Sequence, residues 1–168
     1  MLLVVDWYQQ NREMDHLLDA VQRSEKAMKQ FNADVKADID PYATVDCSSS
    51  PSATFECQQA AQSLRTALSD TAAADLVDIR TTGAEVHHVS ILPWHDALRD
   101  ARAAYADHIK AWEDRVQSVA SDPAALWDKV TGANITATFE TAHRRFEDAL
   151  PRLPLYDERQ RVVRIWAD

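Results

Sequence analysis

Six histidines and a scatter of carboxylates are the side chains of this 168-residue sequence best suited to hold a metal or move a proton. Two Glu-x-x-His units stand out, Glu13-Met14-Asp15-His16 and Glu140-Thr141-Ala142-His143. In di-metal carboxylate bundles, two helices each supply such a unit and two further helices each supply a glutamate. The surrounding residues weaken the match. Glu13 and His16 flank the apolar stripe of their segment, which places His16 toward water. His143 lies between Phe139 and Phe146, but Glu140 turns away from it. Glu56, Glu85 and Glu113 carry no supporting pattern. A second group is His87, His88 and His95, with Asp96 and Asp100 nearby, a donor set of the type that binds zinc. Its spacing matches no zinc signature, and adjacent histidines point in different directions in a helix or a strand. The metal candidates are therefore His87, His88, His95 and His143, and surface or helix-cap positions are the simpler expectation for the first three.

His108 falls between Tyr105 and Trp112 on an apolar seam, where an imidazole serves as a ligand-binding group, as a switch near neutral pH, or as a buried residue with one hydrogen-bond partner. The third is the expectation. Trp94, Trp112, Trp127 and Trp166 occupy helical positions compatible with burial and read first as core. Nothing supports nucleophilic catalysis: the chain has no G-x-S-x-G elbow and no glycine-rich phosphate loop. Asn134-Ile135-Thr136 has the form of a glycosylation acceptor, although Asn134 as a helix N-cap is the simpler role. No catalytic residue and no cofactor are assigned.

Cys47 and Cys57 are separated by nine residues in a segment rich in serine and proline. That is neither a C-x-x-C redox pair nor a zinc spacing. A disulfide between Cys47 and Cys57 is expected, worth about 2–3 kcal/mol for a loop of this length. Such a bond implies an oxidising compartment outside the cytoplasm. The start of the chain points the same way. Met1-Leu2-Leu3-Val4-Val5 is an apolar run followed by Trp7 and Tyr8, an order found at the watery edge of a membrane helix. Residues 1–8 are thus read as the end of an anchor or stalk, with a turn packed on the core as the alternative. No complete transmembrane span or signal peptide is present in the sequence.

The elements that must position these residues are helices. Only two glycines, Gly83 and Gly132, are available for the positive-φ turns that hairpins require, while good helix formers abound. Trp7, Met14, Val21, Met28 and Val35 recur every seven residues, and no proline or glycine interrupts Leu2 to Asp38. Such a repeat keeps one stripe against a neighbour, and a helix of that length spans about 55 Å. A second stripe runs through Ala61, Leu64, Leu68, Ala72, Leu76 and Ile79 and is expected to end at Thr82-Gly83, with Ala84 to Leu92 an apolar connection. A third is Leu98, Ala101, Tyr105, Ile109, Trp112, Val116 and Val119. Ser121-Asp122-Pro123 starts a short helix to Val130 that ends at Gly132. Ile135, Phe139, Ala142, Phe146 and Leu150 mark the next, and Leu155, Arg159, Val162, Val163 and Trp166 a last one. The fold expected is all-α: one domain over residues 1–168, an up-down bundle of four main helices with one or two short ones and a long N-terminal helix.

Composition narrows the function. A net charge of −9 opposes nucleic-acid binding and adsorption to anionic lipid. The expected role is non-enzymatic: an extracytoplasmic domain, membrane-tethered at its N-terminus, that binds a protein or small-molecule partner as a sensor or accessory module. The alternatives are a metal-binding helical-bundle enzyme using the histidines above, and a structural module whose first helix pairs in a homo-oligomer.

Overall fold

The computed structural model describes the backbone of residues 2–43 and 51–150 and the side chains of 5–43 and 55–150. Four α-helices run through these residues: α1 (Leu2–Ile39), α2 (Pro51–His88), α3 (Asp96–Ser121) and α4 (Lys129–Ala149). Short 3₁₀ turns occupy Asp40–Tyr42 and Pro123–Trp127. The chain is an all-α, up-down bundle with a long N-terminal helix. Cys47 and the segment 151–168, which holds the expected last helix and Trp166, lie outside the described residues.

The heptad stripe of α1 explains its length. Met14, Leu17, Leu18, Val21, Met28, Phe31 and Val35 are all buried, so a single face stays in the core over many turns. Each large side chain removed from water contributes roughly 1.5–3 kcal/mol, which outweighs the modest helix propensity of the polar faces. At 38 residues α1 spans about 57 Å. Pro41 stops it, because its ring excludes a continuing helical hydrogen bond. No helix among the described residues is long and apolar enough to cross a membrane.

Cross-helix bonds define the directions. Arg23 meets Glu85, while Thr71 donates to Asp38 at 2.6 Å, so α1 and α2 are antiparallel. Tyr105 packs edge-on against Phe146, and His108 meets Thr138, so α3 and α4 are antiparallel. Two core clusters result. The first joins Met14 to Met28 of α1 with Val86, the first half of α3, and Ala142, Phe146 and Ala149. The second joins Phe31 and Val35 with Leu68 to Ile79 and the end of α3. Trp112 packs against both and sits edge-to-face on Phe31 with ring centroids 6.3 Å apart.

Several boundaries differ from the sequence expectation. Gly83 does not cap α2, which continues to His88. The residue is buried, and a Cβ placed on it would lie 2.6 Å from Ile109 Cγ2. Its lack of a side chain serves close approach of α2 and α3 instead of a turn. The connection shrinks accordingly to Val89–His95, and Pro93 lies in that turn, ahead of α3. Pro123 opens a 3₁₀ turn that ends at Trp127. Asp128 then caps α4, its carboxylate accepting from Val130 N at 2.9 Å and from Thr131 Oγ1 at 2.7 Å. Gly132 and Asn134 are consequently interior to α4, and Asn134 is no N-cap. Trp94 and Trp127 are 62% and 61% exposed, against the expectation of core tryptophans, because both lie in turns between helices that none of the described helices covers.

Candidate functional site

The polar groups of greatest interest gather where the α2–α3 connection crosses the N-terminal half of α1. His95 precedes α3 and is only 5% exposed. Its Nδ1 lies 2.6 Å from Glu13 Oε2, and its Nε2 lies 3.3 Å from Asp6 Oδ1. The expectation of a surface or cap histidine holds for position and fails for environment. Glu13 is corrected in the same way. It is 3% exposed and faces inward, since the connection of residues 89–95 covers a helix face that periodicity marks as a flank. Its other oxygen accepts from Leu92 N at 3.2 Å and from Gln9 Nε2 at 3.3 Å.

Asp6 completes the clamp. Trp94 Nε1–H donates to Asp6 Oδ1 at 2.7 Å. That bond, with the hydrogen bond and positive charge of His95, holds the Asp6 carboxyl below the usual carboxylate range. Arg102 fixes the other end of the connection, its Nη1 donating to the Val89 carbonyl at 2.6 Å. Seven residues without regular structure are thereby held on α1 and α3 by charged groups.

Beside this clamp lies a cleft of about 620 Å³ between α1 and the end of α2. Gln9, Arg12, His16, Ala20 and Arg23 line one wall, and Glu85, His88, Val89 and Ser90 the other, with Glu13 between them. The α1 residues recur at three- and four-residue intervals, one stripe of a helix adjoining the buried heptad face. Arg23 Nε donates to Glu85 Oε2 at 2.5 Å across the cleft.

A second polar cluster is internal. His108 is 2% exposed and pairs through Nδ1 with Thr138 Oγ1 at 3.2 Å, with Glu25 Oε1 4.0 Å from Nε2. Burial lowers its pKa to about 4, so the imidazole is neutral near pH 7. The Tyr105 hydroxyl donates to Glu25 Oε1 at 2.8 Å, and its pKa is pushed well above the usual phenol value by burial first and by Glu25 second. A smaller cavity of about 250 Å³, lined by Met28, Trp112 and Phe139 among others, reaches this cluster.

The four metal candidates do not converge. His87 and His88 are exposed on the last turn of α2. Both ring nitrogens of His95 are occupied by carboxylates. His143 is half-buried on α4, stacked on Phe139 with an interplanar angle of 5°. Among the described residues no group of three or more histidine, cysteine or acidic side chains is arranged to hold a metal ion. His16 faces solvent, as expected. Sequence reasoning missed Arg12 and Arg23 and the burial of Glu13. The three- and four-residue stripe through Gln9, Arg12, His16 and Arg23 is the signal that exposes the cleft wall. Comparison with known protein families, with curated proteins and with solved structures finds no match to this chain.

Proposed function

We propose that the chain is an extracytoplasmic helical domain, tethered through its N-terminus, that binds a partner molecule instead of transforming one. The observation that carries the binding role is the cleft beside the clamp: a shallow, open groove of about 620 Å³ with mixed polar and apolar lining, formed by side chains from two helices and from a connection pinned in place. Binding sites of this type lie between the helices of bundles, where rigid elements hold side chains in fixed relation. Against catalysis at this position stands the use of His95, whose ring nitrogens are both committed to carboxylates of the protein. An extracytoplasmic setting rests on the proposed Cys47–Cys57 disulfide, and the tether on the apolar run that precedes Trp7.

Two measurements test this reading. Thiol titration under denaturing, non-reducing conditions, on protein made in an oxidising compartment, is expected to find no reactive thiol. Two free thiols would remove the compartment argument. For binding, thermal stabilisation by a panel of anionic, cationic and neutral small molecules is compared between the wild-type protein and His88→Trp. The exposed His88 lines the cleft, so the larger ring obstructs it with little effect on the core. At least one compound is expected to stabilise the wild type and not the variant. A panel that stabilises neither, or both equally, refutes the cleft as the binding site.

A further inference from the structure

We infer that the cleft receives a small dicarboxylate, held at its two ends by Arg12 and Arg23; this rests on the cleft being the binding site. The charge of the cleft is the starting point. The chain as a whole carries −9, whereas in this cleft two guanidiniums balance two carboxylates, beside two imidazoles. Both carboxylates are already engaged. Glu13 accepts from His95, Leu92 N and Gln9, and Glu85 accepts from Arg23. The donors are less fully used. Arg12 is exposed and makes no ion pair among the described residues. Arg23 meets Glu85 through Nε, which leaves both terminal nitrogens of its planar fork for an incoming oxyanion. A guanidinium held at Nε by a carboxylate presents that fork in a fixed direction, the arrangement suited to bidentate carboxylate recognition.

Spacing selects two anionic ends over one compact anion. Arg12 and Arg23 are eleven positions apart on a continuous α1, which puts them about 16 Å apart along the axis and within about 20° of the same face. The free Arg12 stem shortens that span, and the two charges stand toward opposite ends of the α1 wall. Between them lie Ala20, a small residue that is 1% exposed, and Val89 from the connection. Val89, half-buried, offers the apolar surface for a methylene chain above the buried Ala20, with the His16 and His88 rings and Ser90 beside it.

Isothermal titration calorimetry at pH 6.5 with adipate, succinate, acetate and inorganic phosphate tests the inference on wild type, Arg12→Gln, Arg23→Gln and His88→Trp. Adipate or succinate is expected to bind at least about tenfold tighter than acetate or phosphate, and each arginine variant to weaken that binding about tenfold or more, the loss of one charge-assisted pair. Circular dichroism melting confirms that Arg12→Gln, a change at an exposed position, retains the fold. Dicarboxylate binding no tighter than acetate or phosphate, or unchanged by Arg12→Gln, overturns the inference. Where both dicarboxylates fail but a cationic or neutral compound stabilises wild type and not His88→Trp, the cleft stands and the dicarboxylate falls. Where no compound does so, both fall.

Discussion

Gly83→Ala separates two opposite effects in one methyl group. In an exposed helix interior the change stabilises by about 1 kcal/mol, because alanine restricts the unfolded chain and forms helix more readily. Here the new Cβ would stand 2.6 Å from Ile109 Cγ2, with Glu113 Oε1 at 3.5 Å and Ile109 Cδ1 at 3.8 Å. Cγ2 is bonded directly to the Cβ of a β-branched side chain that is 1% exposed, so it moves only if the α3 backbone moves. Overpacking of this type costs about 1–3 kcal/mol, and the net expectation is a loss of about 1 kcal/mol. For a chain of this size that lowers Tm by about 2–4 °C. The partner variant Ile109→Ala removes Cγ2 and opens a cavity, at a cost of about 2–5 kcal/mol. In that background Gly83→Ala is expected to become neutral or stabilising by about 1 kcal/mol, because the methyl enters space the isoleucine has left and the helix gain returns. Urea unfolding of the four proteins in the cycle measures both quantities. Stabilisation by Gly83→Ala in the wild-type background, or additivity within about 0.5 kcal/mol, would refute the close-approach explanation.

Two further predictions concern the buried polar groups. Unfolded, the His108 imidazole titrates near 6.5, and in the fold burial lowers it to about 4. Between those values the unfolded chain binds the extra proton, so stability from neutral His108 is present above about pH 6.5 and is lost as pH falls toward 4, by about 3 kcal/mol in all. Urea midpoints from pH 7 to 4 are therefore expected to fall more steeply for wild type than for His108→Gln; parallel profiles would contradict the assignment. Glu13→Gln replaces the buried carboxylate that His95 Nδ1 and Leu92 N meet, and the loss of these hydrogen bonds is expected to destabilise by about 1–3 kcal/mol. Hydrogen exchange at Leu92 N–H, which Glu13 accepts, should accelerate beyond the global change; an unchanged local protection would show that the clamp does not hold the connection.

How much of this was legible in the residues depends on the range of the interaction concerned. The seven-residue repeat of α1 and the seam from Leu98 to Val119 reveal which helix faces are buried, because helical periodicity alone sets which side chains share a face. Met14, Val21, Met28, Leu98, Tyr105 and Val119 are in the core as their spacing requires. The scarcity of glycine likewise settles the all-α class. Boundaries were less legible. Gly83 has the form of a cap, and whether a glycine ends a helix or admits a neighbouring one depends on what stands opposite, here Ile109 on α3. The site was least legible of all. Periodicity marks Glu13 as a flank, His95 reads as a surface or helix-cap residue, and no local rule brings together residues 82 positions apart. Only the path of the 89–95 connection over α1 makes them a 2.6 Å buried pair. The sequence by itself determined the helices and their apolar faces, since those follow from local propensity and pattern. The tertiary structure alone decided that Glu13 and His95 are buried together, and where two helices leave a cleft between Arg12 and Arg23.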